Sequence, residues 1–103
     1  MNSITDKIIC RTPTPGKQPT RIDKWKYDLI RKRIIEVVPA GETGLEFSHL
    51  SRLVEDGLNP EEKKRIGSIS WYTTVVKLNM EVDGELIRIY GSKPQRIRKK
   101  SGL

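Results

Sequence analysis

The stretch SISWYTTVVKLNMEVDGELIRIYGSKPQRIR, residues 68–98, decides the fold of this 103-residue chain. Ser68 or Ser70 can cap a helix that runs to about Val82. Tyr72, Val76 and Met80 give that helix one apolar stripe, and Trp71, Val75, Leu78 and Val82 give it a second. A helix apolar on two sides touches more than one neighbour, which predicts a central element. Asp83-Gly84 is a turn. Leu86 to Tyr90 and Gln95 to Lys99 read as strands joined by Gly91-Ser92-Lys93-Pro94, so the chain ends in a hairpin.

Upstream, the start and stop signals predict three further helices. Asp23 suits the N-cap of a first helix, with Ile22 and Tyr27 spaced as a hydrophobic staple. Tyr27, Ile30, Ile34 and Val37 form its apolar face, and Pro39 ends it by forcing the preceding residue out of the α region. Leu45-Glu46-Phe47 alternates as a very short strand. Ser48 then caps a helix that turns Leu50, Leu53 and Val54 inward and stops at Gly57. Asn59-Pro60-Glu61-Glu62 opens a short helix ending near Gly67, with a cap, a proline at the first helical position and acids in the first turn. Residues 11–21, with Pro13, Pro15, Gly16 and Pro19, read as an extended arm. Ile8 and Ile9 could form a short strand or pack beneath that arm.

The predicted order is helix, short strand, helix, short helix, helix, hairpin. That is a mainly α fold with a small β-hairpin, the layout of a winged helix-turn-helix: three main helices and a C-terminal wing. The helix over residues 69–82 takes the place of the recognition helix. The expected division is an extended N-terminal arm over 1–21, the winged-helix domain over 22–100 and a tail over 101–103. The core is expected to gather Tyr27, Ile30, Ile34, Leu50, Leu53, Val54, Tyr72, Val76 and Met80. On this reading residues 1–18 can be removed with little effect on thermal unfolding.

Arg21-Ile22-Asp23-Lys24, Tyr27, Trp71-Tyr72, Val76-Lys77-Leu78, Glu81, Gly84 and Ser92-Lys93-Pro94-Gln95-Arg96 resemble an uncharacterised family of small bacterial winged-helix proteins. The resemblance covers roughly residues 11–98. It implies the fold and brings no activity with it. Where family members favour Asp and Leu, this chain has Asn79 and Met80.

Composition narrows the function classes. The chain is lean in hydrophobic residues, at 35%, and rich in charged ones, at 32%. No window approaches the ~18 consecutive apolar residues of a membrane span, and no N-terminal run suits a secretory signal, so a cytoplasmic location is the default. Cys10 is the only cysteine, which rules out an internal disulfide and a thiolate cluster. His49, the only histidine, lies in a different element. No phosphate loop, metal-spaced cluster or nucleophile elbow is present, so neither an enzyme nor a cofactor is expected.

The net charge of +7 is unevenly spread. Residues 1–33 hold nine basic and three acidic side chains, residues 34–87 five and ten, and residues 88–103 six and none. Basic ends around an acidic middle suggest a polyanion footprint, and solvated ends are the plainer alternative. On a helical wheel Ser70, Trp71, Thr73, Thr74 and Lys77 face outward. Hydroxyls and one lysine can reach phosphates and base edges, but no arginine is among them, which argues against strong sequence selectivity. If Ile89 pairs with Ile97, Arg88 lies opposite Arg98 and Tyr90 opposite Arg96. Like charges facing each other need an anion over them, and phosphate would serve.

The candidate nucleic-acid contacts are therefore Lys77, Thr73 and Thr74 on the helix, Arg88, Lys93, Arg96 and Arg98 on the hairpin, and Lys17 and Arg21 on the arm. DNA is the expected partner, with RNA possible and no membrane or small-molecule substrate evident. The alternative is a protein-interaction module, or a homodimer, that docks through the two-sided helix or Trp71.

Overall fold

In the computed structural model, which describes residues 6–103, the segment over residues 68–98 forms the expected helix and a C-terminal hairpin, with shorter strands and a different register. The chain begins with strand β1 (Lys7–Cys10), strand β2 (Thr20–Asp23) and helix α1 (Lys24–Val37). Strand β3 (Leu45–Glu46), a 3-10 turn over Phe47–His49, helix α2 (Leu50–Asp56) and helix α3 (Pro60–Ile66) follow. Helix α4 (Ile69–Val82) leads to strands β4 (Leu86–Arg88) and β5 (Arg96–Lys99). The architecture is α plus β: four helices with two small antiparallel sheets, ordered β1-β2 and β3-β5-β4.

Helix α4 is the central element. Val76 and Met80 are fully buried with Ile30 and Ile34 of α1 and Leu50 and Val54 of α2, and Leu86 and Ile97 of the hairpin close the same cluster. Leu53 and Tyr72, expected in that cluster, are only partly buried. The Tyr72 ring lies 4.8 Å from the Lys26 ammonium, which also reaches its hydroxyl at 3.3 Å, so the ring stays at the rim.

The helix ends obey local chemistry, with exceptions. Asn59 and Glu62 form a full capping box on α3, with bonds of 2.8 and 2.9 Å. Ser68 caps α4 by accepting the Trp71 N–H at 3.4 Å. Asp23 occupies the N-cap position of α1, but its carboxylate makes no cap bond and pairs across the ribbon with Lys7. Ser48 does not cap α2 either: it sits with Phe47 in the 3-10 turn, and α2 starts at Leu50. At its far end, α2 gives the Leu53 and Val54 carbonyls to the Arg33 guanidinium, at 2.8 and 3.2 Å.

The end of α4 sets the hairpin. The Glu85 N–H bonds the Met80 carbonyl at 2.9 Å and the Gly84 N–H bonds that of Glu81 at 3.1 Å. This is a Schellman motif, and Gly84 supplies the positive φ of 79° that it needs. It delivers Leu86, not Ile87 or Ile89, to the core. The register is therefore Leu86 with Lys99, Ile87 with Arg98 and Arg88 with Ile97, one residue away from the expected Ile89–Ile97 pairing. A one-residue slip exchanges the faces of every side chain. Arg88 does not face Arg98, and the argument from opposed like charges falls.

The N-terminal segment also departs from expectation. Strands β1 and β2 pair over Lys7–Asp23 to Cys10–Thr20, forming a ribbon against α1 and α4 where an extended arm was expected. Cys10 and Ile22 enter the core. The Arg11 N–H bonds the Asn79 side-chain oxygen at 2.9 Å, and Asn79 in turn donates to the Tyr27 hydroxyl at 2.9 Å. One buried amide thus joins ribbon, α4 and α1. Only the connecting loop is exposed along most of its length. Residues 1–5, part of the expected arm, lie outside the described residues.

Two outcomes test this packing. Val76→Ala, at a site with no exposure, should cost about 1–3 kcal/mol in denaturant unfolding. Deleting residues 1–18 removes β1 and uncovers Ile22, so it should lower stability by about 2–4 kcal/mol. A truncated chain that melts with the full one would show that the ribbon adds nothing to the core.

Candidate nucleic-acid interface

Ser70, Thr73, Thr74, Lys77 and Glu81 recur every three or four residues along α4 and share one face, between its two apolar stripes. The predicted contacts on this helix are less accessible than expected. Lys77 is 2% exposed. Its ammonium lies 2.5 Å from Glu81 Oε2, donates to Gln95 Oε1 at 2.9 Å and sits 4.3 Å from the centre of the Phe47 ring. Burial pushes the Lys77 pKa below its ordinary value, against the opposing pull of the Glu81 hydrogen bond and charge. Thr73 is 1% exposed, and its Oγ1 has no hydrogen-bond partner among the described residues. Thr74 is half-buried and returns its hydroxyl to the Ser70 carbonyl at 3.1 Å. Lys77 and Thr73 are therefore corrected from exposed contacts to interior groups. Their face of the helix is covered by Phe47 and the base of the hairpin.

Glu81 takes a second cation. Arg88 Nε and Nη2 approach its carboxylate at 3.1 and 3.0 Å, so Arg88 is committed to an internal pair. Arg96 is partly committed: its Nε donates to the Thr43 carbonyl at 2.8 Å. Lys99 reaches the Ile35 carbonyl at 2.9 Å. Lys93, Arg98 and Lys100 make no ion pair or side-chain hydrogen bond among the described residues. Arg96 and Arg98 alternate with Ile97, so both lie on the sheet face turned from the core.

Two features of the hairpin lie outside the sequence-derived set. Tyr90 is fully exposed beside the turn, next to a basic loop. Gln95, read only as the start of a strand, is the acceptor that holds Lys77 to the hairpin. The i,i+4 spacing of Lys77 and Glu81 was the available signal for the pair, and the tyrosine before Gly91 the one for the tip.

Lys17 and Arg21 are exposed on the ribbon side, Lys17 in the loop between β1 and β2 and Arg21 in β2 opposite Ile9. Lys17 lines a recess of about 250 Å³ against Val75 and Leu78, on a different face of α4 from Lys77 and Glu81. The structure thus divides the predicted cations between a ribbon side and a hairpin side. Cys10 also borders this recess, where burial pushes its thiol up to about 11 and Asp83 adds to the shift, which disfavours the thiolate. His49 is exposed, and no cluster of metal-ligating side chains occurs among the described residues. Among the described residues no helix is long and apolar enough to cross a membrane.

The Lys77–Glu81 pair gives a test by asymmetry. Glu81→Gln leaves Lys77 buried without its counter-charge and should destabilise the fold by about 3–5 kcal/mol, whereas Lys77→Met leaves Glu81 with Arg88 and should cost far less. Equal losses in chemical denaturation would mean that the buried ammonium is not held by Glu81.

No curated protein and no solved structure matches the chain. A family model matches residues 7–97, spanning the ribbon, all four helices and the hairpin turn. The chain belongs to the family of unknown function DUF6958.

Proposed function

We propose that this chain is a winged-helix protein of the cytoplasm that grips the phosphate backbone of nucleic acid, DNA first, through its C-terminal hairpin as the wing. One observation carries the reading. Residues 88–103 hold six cations and no acidic side chain, and among the described residues only Arg88 of the six is tied to an acid. Arg98 lies in β5 with Arg96 two residues before it, on a small sheet whose inner face is fixed by Leu86 and Ile97, while Lys93 is exposed in the hairpin turn and Lys100 directly follows the strand. A cation held on a strand, as Arg98 is, loses less freedom on meeting phosphate than one on a free tail. The exposed ring of Tyr90 adds an aromatic surface at the tip, suited to stacking on a base or packing along a sugar. The order of elements, with β3 pairing β5 and α4 beside the hairpin, supports the winged-helix reading.

Phosphate gripping of this kind is weakly sequence-selective. If Lys93, Arg98 and Lys100 each neutralise one phosphate, log affinity for a mixed-sequence duplex should fall against log salt with a slope near −3, from roughly −0.9 per contact. The double variant Lys93→Ala/Arg98→Ala should flatten that slope by about 2 units for every duplex, while Arg88→Ala should leave it within about half a unit. Fluorescence anisotropy at several salt concentrations, with duplex DNA and with single-stranded RNA, reads all three. A double variant that binds as well as the parent at low salt removes the wing from the interface.

A second reading is favoured by a separate observation. Ile9, Trp71 and Val82 are exposed, Trp71 to 47%, along the outer stripe of α4 and the ribbon. Such a surface suits a protein partner or a second copy, in a salt-insensitive contact. It becomes the better account if no nucleic acid binds at low salt and Trp71→Ala alters the sedimentation of the chain.

A further inference from the structure

Between the 3-10 turn with α2 and the start of α4 lies a recess of about 200 Å³ whose wall is chemically unlike the hairpin. Phe47, Ser48, Ser51, Ser70, Thr73 and Thr74 line it. Five of these six carry hydroxyls, and none carries a carboxylate. Thr73 is nine-tenths buried by a wide margin and still leaves its Oγ1 unpaired, although Thr74 beside it returns its hydroxyl to the helix carbonyl in the ordinary way. A buried hydroxyl without a partner is uncommon and asks for an explanation. The recess also adjoins the N-terminal turn of α4, a 14-residue helix whose first amides at Ile69 and Ser70 have no acceptor four residues back. The helix dipole makes that end attractive to an anion.

We propose that this recess holds a single phosphate group, with hydroxyls of Ser48, Ser51, Ser70 and Thr73 and the first-turn amides of α4 as donors. Phosphate oxygens accept several hydrogen bonds at once, and hydroxyls can turn to supply them. A backbone phosphate and a free phosphate present the same oxygens. The first source rests on the nucleic-acid reading above and the second does not.

Amide NMR of the full chain separates them. Inorganic phosphate, titrated at constant ionic strength against chloride, should shift the amides of residues 69–74 and 48–51 saturably. Thr73→Val keeps the shape and removes the hydroxyl. It should weaken phosphate binding about tenfold and raise the melting temperature by a few degrees, on the order expected for removing a buried unpaired hydroxyl. Ser70→Ala, at the exposed rim, should weaken binding severalfold and leave melting unchanged. A 20-bp duplex is then titrated in the same way. Shifts in both recess and wing amides identify a backbone phosphate. Saturable phosphate shifts with no response to duplex support the recess and sink the nucleic-acid reading. Duplex shifts confined to the wing, with no phosphate response at 69–74, overturn the recess and leave the wing reading standing. Unchanged phosphate affinity in Thr73→Val also overturns it.

Discussion

Lys77 and Glu81 are both nearly withdrawn from water, 2.5 Å apart on one face of α4, and the hairpin is assembled around them. Removing two charges from water is costly, and their attraction offsets that cost only if the remaining hydrogen-bonding capacity is met. Gln95, just before β5, meets part of it for Lys77, and Arg88, at the end of β4, meets part of it for Glu81. Both strands of the hairpin are therefore tied to one pair on the central helix. Phe47 closes the group from the 3-10 turn, its ring against the ammonium. The pair does less to add stability than to specify where the hairpin lies, because any other placement would strand a buried charge.

The same constraint explains the register. The Schellman motif after α4 fixes the direction in which the chain leaves the helix, and only with Leu86 inward can Arg88, two residues on, face Glu81. The core contact and the ion pair agree on one pairing. The alternative, with Ile87 and Ile89 inward, would bury more β-branched surface but would turn Arg88 away from its partner. Gly44 makes the third strand possible on these terms, since a Cβ there would come within 2.5 Å of the Ile97 carbonyl oxygen.

Much of this was legible from the residues. The bounds of α4, the capping box of α3, the Asp83-Gly84 turn and most of the core follow from spacing and capping chemistry, which act over a few neighbours. The errors arose where the deciding contact is remote in sequence. In Leu86-Ile87-Arg88-Ile89 the pattern alone favours Ile87 and Ile89 inward, and the face actually buried, that of Leu86, is chosen by the exit from α4 and the Arg88–Glu81 pair. Lys77 reads as a surface residue because its partners across the fold, Gln95 and Phe47, are 18 and 30 positions away. The ribbon was hidden because β1 is only four residues long and meets β2 across a proline-rich loop. Asp23 illustrates the competition directly: a good cap by type, its carboxylate is taken by Lys7 once the ribbon forms.

The structure also divides the two basic ends, which the sequence alone could not. At the N-terminal end Lys7, Arg11, Lys24, Arg31 and Arg33 are each bound to an acid: Asp23, Asp83, Asp28, Glu85 and Glu36. Individually such exposed or half-exposed pairs add little to stability. Together they neutralise the local field, and two of the five acids, Asp83 and Glu85, come from the turn after α4 in the acidic middle of the chain. Among the described residues no comparable pairing reaches the last sixteen residues, where Arg88 alone finds a carboxylate. The acids of the described chain thus pair much of one basic end and leave an excess of positive charge at and beside the C-terminal hairpin, which is the feature the phosphate-gripping proposal rests on.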